Sequence, residues 1–162
     1  MNIYLLIHQR ELDRRTNTGV LVTEVMGENC QLFVWDRVAP DAKLLEKLKQ
    51  ESVALVYPRE NGGSLAADEK TFDSFIIIDA TWQEAQKMYN HSQYLQNLPK
   101  VNLSREKPSV YILRRNQKEA GLCTAECAAE LLKTSGNLKQ GNIMEERLKH
   151  FIADIHLQGR YT

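Results

Sequence analysis

The sequence predicts an α/β fold in which a largely parallel sheet is flanked by helices. Apolar runs typical of buried strands alternate along the chain with segments of helical periodicity, as in βα units. Several of these runs are continuously apolar, which is expected of strands covered on both faces. The length of 162 residues, with 43% hydrophobic and 26% charged side chains, fits a single globular domain over 1–162.

The predicted elements follow one another in a regular order. They are strands near 2–7, 31–36, 53–57, 74–79 and 109–114, and helices near 17–26, 41–50, from 81 onward, 123–134 and 141–157. A loop through His8–Arg15 follows the first strand, and either Asn17 or Thr18 can cap the helix after it. The helix near 41–50 is amphipathic, and Asp41 supports its N-terminus.

The middle of the chain carries the most specific local pattern. The apolar run Phe75–Ile78 stops at Asp79. Thr81 is followed three residues later by Glu84, which predicts a capping box and a helix that begins there. The spacing of Trp82 and the apolar residues after it predicts one buried helix face. Asp79 is therefore a carboxylate between a strand and a separately capped helix.

The start of the predicted helix near 123 has a weaker pattern. No acidic residue follows Thr124 at the spacing of a capping box, although Thr124 itself can cap. Cys123 and Cys127 are four residues apart and are expected to be small buried residues on one helix. The C-terminal part of the domain, 130–162, is predicted to be helical.

Composition excludes several classes of protein. The three cysteines include no CxxC pair, so neither a disulfide framework nor a zinc site is expected. The N-terminal apolar stretch lacks preceding basic residues and is too short to span a membrane, so we expect a cytoplasmic protein with no membrane partner. The sequence contains no GxGxxG, P-loop, GxSxG or HExxH motif.

The formal net charge is zero, but it is unevenly distributed. Residues 1–99 carry 10 basic and 14 acidic side chains, whereas 100–162 carry 11 and 7. Six basic residues lie within 100–118, and such a patch can neutralise a few phosphates of a nucleic acid. An ordinary solvated surface is the alternative interpretation.

Three strand ends are expected to meet at one edge of the sheet. Pro58, Asp79 and Arg114 each end a predicted strand, and carboxyl ends of parallel strands are where open α/β sheets bind ligands. Asp79 is a candidate general base or orienting group, with helix capping as the alternative. Trp82 is either a stacking platform for a nucleobase or a core aromatic. His8, with its neighbours, is either an anion or proton-relay site or an ordinary loop residue.

Together these segments resemble the DTW-domain family, which is named for the Asp-x-Thr-Trp signature that stands here at residues 79–82. IHQRE (7–11) resembles the family's His-Pro-x-Glu segment, and TNTG (16–19) resembles its Asn-Thr-Gly stretch. LVYP (55–58) is similar to a family strand that ends in proline. YILRR (111–115) and GLCTAECAA (121–129) resemble its Tyr-x-Leu-Arg strand and the helix start after it. The resemblance covers about 7–129, in family order.

The resemblance implies a SPOUT-like fold, related to the knotted methyltransferases, and an activity. The activity is tRNA-uridine aminocarboxypropyltransferase, with S-adenosylmethionine as donor, tRNA as acceptor and methylthioadenosine as product. Carried onto this sequence, it implies catalytic roles for Asp79, Thr81 and Trp82; donor binding by Leu55, Tyr57, Pro58, Leu113, Arg114, Leu122, Thr124 and Glu126; and RNA binding by His8, Arg10, Glu11, Thr18 and Arg115.

The chemistry suits this assignment. A positioned carboxylate could take the weakly acidic N3 proton of uridine or orient the base, and holding the two reactants in line supplies much of the acceleration. A cation such as Arg10 or Arg114 could hold the donor's α-carboxylate. The family's N-terminal cysteine cluster has no counterpart here, so no metal is expected. The alternatives are an RNA methyltransferase of the knotted fold and a non-catalytic RNA-binding module.

Overall fold

Five parallel strands form the sheet in the computed structural model, which describes residues 1–57, 72–103 and 122–159. The strands are β1 (Asn2–Ile7), β2 (Cys30–Val34), β3 (Val53–Val56), β4 (Ser74–Asp79) and β5 (Lys100–Val101). They lie in the order β2-β1-β4-β3-β5, and every neighbouring pair is parallel. The predicted α/β class and parallel sheet are confirmed. The strand predicted near 109–114 lies outside the described residues.

Helices accompany the strands nearly as predicted. They are α1 (Gly19–Met26), α2 (Ala42–Gln50), α3 (Trp82–Asn90), α4 (Gln93–Gln96), α5 (Thr124–Thr134) and α6 (Leu138–Gly159). The predicted capping box forms at α3, because Glu84 N donates to Thr81 Oγ1 at 3.2 Å and Thr81 N donates to Glu84 Oε1 at 3.0 Å. Asp41 Oδ1 likewise accepts from two backbone N–H groups of α2. The short α4 and β5 are additions to the prediction.

Neither of the two threonines at the starts of α1 and α5 caps its helix with its side chain. Thr18 occupies the N-cap position of α1, but its side chain makes no capping hydrogen bond there. Thr124 is the first residue of α5 and Cys123 is its N-cap, so the prediction that Thr124 caps this helix is wrong. These side chains bond to other elements instead: Thr18 Oγ1 accepts from Ala125 N, and Thr124 donates to Asp79.

The sheet is covered on both faces. One face packs against α1, α5 and α6 through a cluster that includes Phe75, Val22 and Leu131. The other face packs against α2, α3 and α4 through a cluster that includes Ile76 and Met88. No helix in the described ranges is long and apolar enough to cross a bilayer.

The direction in which the connections run along the sheet reverses between β1 and β4. From β1 the chain passes through α1 to β2, at one edge of the sheet. From β4 it passes through α3 and α4 to β5, at the opposite edge. The two connections cover opposite faces of the sheet, so they diverge above two neighbouring strands. In open α/β sheets such a reversal point is where ligands bind. The end of β4 at this point is Asp79.

Candidate functional site

Asp79 holds the carboxyl end of β4 to two other parts of the chain. Its side chain is completely buried. Asn17 Nδ2, in the loop before α1, donates to Oδ2 at 2.8 Å, and Thr124 Oγ1, at the start of α5, donates to Oδ1 at 2.8 Å. A buried carboxylate needs such donors to stay ionised without a large desolvation cost. Asp79 therefore ties the start of α5 and the loop before α1 to the sheet.

Gly19 lets α1 begin directly against this carboxylate. A Cβ at Gly19 would lie far inside the 3.0 Å limit of real Cβ contacts from Asp79 Oδ2, and 2.9 Å from Asn17 Oδ1. Only glycine allows this close approach. A helix N-terminus also stabilises a neighbouring negative charge. Asn17 and Gly19 are site residues that our residue-by-residue reasoning missed; the only signal for them was the TNTG stretch.

A polar network extends from Asp79 toward solvent. Asn17 Nδ2 also donates to Glu11 Oε2 at 3.1 Å, and Glu11 is 1% exposed. Arg14 pairs with Glu11 and lies 3.5 Å from Glu84 Oε2 through its Nη2 atom. A single guanidinium thus compensates two buried carboxylates, which would otherwise be costly. Nothing in the sequence pattern singled out Arg14.

Glu84 is an anion at neutral pH. Burial opposes its ionisation, but hydrogen bonds with the backbone and hydroxyl of Thr81, together with the nearby guanidinium of Arg14, outweigh burial and lower its pKa below the ordinary 4.5. The carboxylate therefore has two structural tasks. It caps α3, and it fixes Arg14 at the edge of the site.

His8 is fixed beside Asp79 by its backbone and by its ring. Its N–H donates to the carbonyl of Asp79 at 3.1 Å, and its Nδ1 accepts from the backbone N–H of Arg10 at 3.1 Å. The ring stacks on Trp35, with centroids 6.0 Å apart and planes at 25°. Trp35 is itself anchored, because Nε1 donates to Ser92 Oγ at 2.8 Å. Sequence reasoning did not select Trp35 as a site residue.

A second aromatic group stands on the β3 side of Asp79. The ring of Tyr57 stacks with that of Trp82, at a centroid distance of 5.7 Å, and with that of Tyr89, at 4.3 Å. Lys100 Nζ lies 5.2 Å from the centre of the Tyr89 ring. The pKa of Tyr57 is raised, mainly by burial and to a smaller extent by the neighbouring Tyr89, so its hydroxyl stays neutral. Trp82 is half-buried within this stack; its contact with a ligand stays a prediction.

The remaining predicted residues occupy different positions. Leu55 is completely buried in the sheet, and its N–H donates to Pro99 O. Glu126, 1% exposed, accepts from Cys123 N within the first turn of α5. Arg10 is exposed, and Leu122 is half-buried just before α5. Four predicted site residues lie outside the described ranges: Pro58, Leu113, Arg114 and Arg115.

The predicted three-loop cleft is only partly described. Of its three strand ends, the one at Asp79 lies within the described ranges. Around it the structure brings together the loop after β1 and the start of α5, which supply Glu11, Thr18 and Thr124. Within residues 1–57, 72–103 and 122–159, no group of three or more His, Cys, Asp or Glu side chains is arranged to hold a metal ion.

Known proteins share this sequence pattern. The DTW domain family matches residues 1–156. The chain is similar to tRNA-uridine aminocarboxypropyltransferase 2 of Macaca fascicularis, at 24% identity over 154 residues, which cover 91% of this chain and 51% of the relative. The protein of the same name from Mus musculus is 27% identical over 155 residues, with coverage of 91% and 51%. The chain thus spans about half the length of these curated relatives, and no solved structure matches it significantly. The chain belongs to the DTW domain family.

Proposed function

We propose that the protein transfers the 3-amino-3-carboxypropyl group of S-adenosylmethionine to N3 of a uridine in tRNA. The observation that carries the proposal is the buried Asp79 at the point where the strand order reverses, held by Asn17 and Thr124. Family membership and the names of the two relatives support the reaction class. A relationship to the knotted methyltransferases is part of the same proposal.

The chemistry of the described residues fits the donor. When bound, S-adenosylmethionine supplies an electrophilic methylene carbon beside a sulfonium that leaves readily. The half-buried rings of Tyr57 and Trp82 suit an adenine ring and a sulfonium cation. Thr124, the first residue of α5, donates a hydrogen bond to Asp79, and Leu122 lies just before this helix. We assign donor binding to these residues, to the backbone of 55–58 that includes Leu55 and Pro58, and to Leu113, with Arg10 or Arg114 at the α-carboxylate. Glu126 is buried, and we propose that it supports the site by holding the first turn of α5.

Asp79 is better suited to orient than to take up a proton. Its side chain has no exposed surface, and each oxygen accepts a hydrogen bond from a neighbouring element. We therefore propose that Asp79 holds the loops that grip both reactants. In the reaction, the N3 proton is released to solvent, a bond forms between N3 and the methylene carbon, and the carbon–sulfur bond breaks with its electron pair kept on sulfur.

RNA binding is assigned to Arg115 and to the segment that follows β1. His8 and Arg10 are the proposed direct contacts in that segment, and the exposed Arg10 suits a phosphate. Glu11 and Thr18 are buried, so we propose that they support this segment from within the fold. No disulfide joins the cysteines, all three of which lie in the described ranges. A reducing compartment such as the cytoplasm therefore suits the protein, and we place the reaction there.

Nucleoside mass spectrometry tests the proposal. Unmodified tRNA is incubated with the protein and S-adenosylmethionine, digested, and scanned for uridine carrying the added aminocarboxypropyl mass. We expect the modified nucleoside with the wild-type chain and a loss of at least about 100-fold with Asp79→Ala, since loosening the reacting groups costs orders of magnitude in rate.

Asp73→Ala is the matched control. Asp73 precedes the same strand at its other end, where its Oδ2 accepts from Ser52 N at 3.2 Å. We expect this variant to retain turnover. A methylated nucleoside would favour the RNA methyltransferase. Binding of tRNA without any new nucleoside, unchanged in Asp79→Ala, would favour the non-catalytic module.

A further inference from the structure

We infer that His8 is a catalytic residue that donates a hydrogen bond from Nε2–H to a carbonyl oxygen of the acceptor pyrimidine. The inference rests on the proposed function and assigns a task that the reaction leaves open. Loss of the N3 proton spreads negative charge onto the two flanking carbonyl oxygens of uridine. A donor placed at one of these oxygens stabilises that charge as it develops.

The surroundings of Nδ1 fix the tautomer of His8. Nδ1 accepts the backbone N–H of Arg10 at 3.1 Å, as the cap of the short 3-10 helix Gln9–Glu11. A nitrogen that accepts an N–H carries no hydrogen, so in neutral imidazole the hydrogen is on Nε2. Glu84 Oε2 lies 3.7 Å from the same Nδ1, beyond hydrogen-bond distance. Glu84 also already accepts from Thr81 N and pairs with Arg14.

The ring is also held in place. The backbone N–H of His8 is bonded to the Asp79 carbonyl, so the residue stays beside the proposed site. Stacking on Trp35 fixes the plane of the imidazole, and the bond from Trp35 Nε1 to Ser92 fixes Trp35. The side chain of His8 is 19% exposed, which leaves part of it accessible to a ligand. Among the described residues, Nε2 forms no hydrogen bond.

These contacts allow His8 to donate a hydrogen bond but not to act as a general base. A general base needs a ring nitrogen with an available lone pair, but the lone pair of Nδ1 is used by Arg10 N–H and Nε2 carries the hydrogen. What His8 offers a ligand is one oriented donor. The matching feature of the substrate is a carbonyl oxygen, which a pyrimidine presents on each side of N3.

Two substitutions of His8 test the roles of its two ring nitrogens separately. In His8→Asn the amide oxygen replaces Nδ1 and can still accept from Arg10 N–H, but the distal donor is lost. In His8→Gln the amide nitrogen replaces Nε2 as donor, while the cap acceptor is lost. We expect His8→Asn to keep the urea midpoint of the wild type and to lose about 100-fold in kcat, as for removal of one oxyanion donor. We expect His8→Gln to retain more turnover than His8→Asn.

The acceptor supplies the second arm of the test. Fluorine at C5 withdraws electrons and makes the N3 proton of uridine more acidic, so the anion needs less stabilisation. With 5-fluorouridine at the modified position, we expect the deficit of His8→Asn to shrink several-fold. Turnover of His8→Asn within threefold of wild type, or an equal deficit with both acceptors, would overturn the inference. If the wild-type chain modifies neither RNA, the proposed function fails and this inference fails with it.

Discussion

Gly19→Ala tests whether α1 begins against the buried carboxylate. The new methyl group would come far closer than 3.0 Å to Asp79 Oδ2 and 3.2 Å from Asp79 Cγ. Asp79 cannot rotate away at low cost, because Asn17 and Thr124 hold its two oxygens at 2.8 Å each. The helix has to shift, and this movement also breaks the bond between Asn17 and Asp79, because the new methyl group contacts both of these side chains.

The expected loss of stability follows from these contacts. Overpacking a close-packed site costs about 1–3 kcal/mol, and loss of a hydrogen bond to a charged group costs about 1.5–3 kcal/mol. The higher helix propensity of alanine returns at most about 1 kcal/mol. We therefore expect Gly19→Ala to lower the free energy of unfolding by about 2–4 kcal/mol, measured by urea unfolding followed by circular dichroism.

Val20→Ala is the matched control. Val20 is the next residue of α1 and is 46% exposed, so its truncation creates no clash with Asp79. We expect a change within about 1 kcal/mol. The double variant Gly19→Ala, Asp79→Ala should lose less stability than the two single losses combined, because the clash needs both residues. Wild-type stability of Gly19→Ala would refute the close approach of α1 to Asp79.

Two further predictions concern charge. The pKa of Glu84 is lower in the folded protein than in the unfolded chain, so its ionised form stabilises the fold. This contribution to the free energy of unfolding is present above about pH 4.5 and is lost as pH falls through the folded-state pKa. Urea unfolding from pH 7 to pH 3 should therefore show a smaller decline in Glu84→Gln than in the wild type and in the exposed control Glu28→Gln; parallel curves would contradict this. Arg114→Ala and Arg115→Ala should each reduce the salt slope of tRNA binding by about one phosphate contact. Unchanged slopes would place the RNA elsewhere.

Local sequence patterns predicted most of the fold. The run that ends at Asp79 and the Thr81–Glu84 box are short-range features, and both appear where predicted. The sheet could be predicted as parallel because strands alternated with helices. The four-residue α4 and the two-residue β5 were too short for any periodicity to show.

The parts that escaped prediction depend on contacts distant in sequence. Asn17 and Thr124 have the side chains of helix-capping residues, but each donates a hydrogen bond to Asp79 instead, across 62 and 45 residues respectively. Gly19 is informative only once the position of Asp79 is known. The stack of Trp35 on His8 joins residues after two neighbouring strands, β1 and β2, which local pattern cannot pair.

The sulfur-containing product of the reaction tests the central claim most directly. The protein, tRNA and S-adenosylmethionine are incubated together, and the nucleoside products are separated by liquid chromatography and identified by mass. The site around Asp79 is proposed to transfer the aminocarboxypropyl group, so methylthioadenosine should accumulate in a one-to-one ratio with modified uridine and fall with Asp79→Ala. S-adenosylhomocysteine in its place would contradict the proposed reaction.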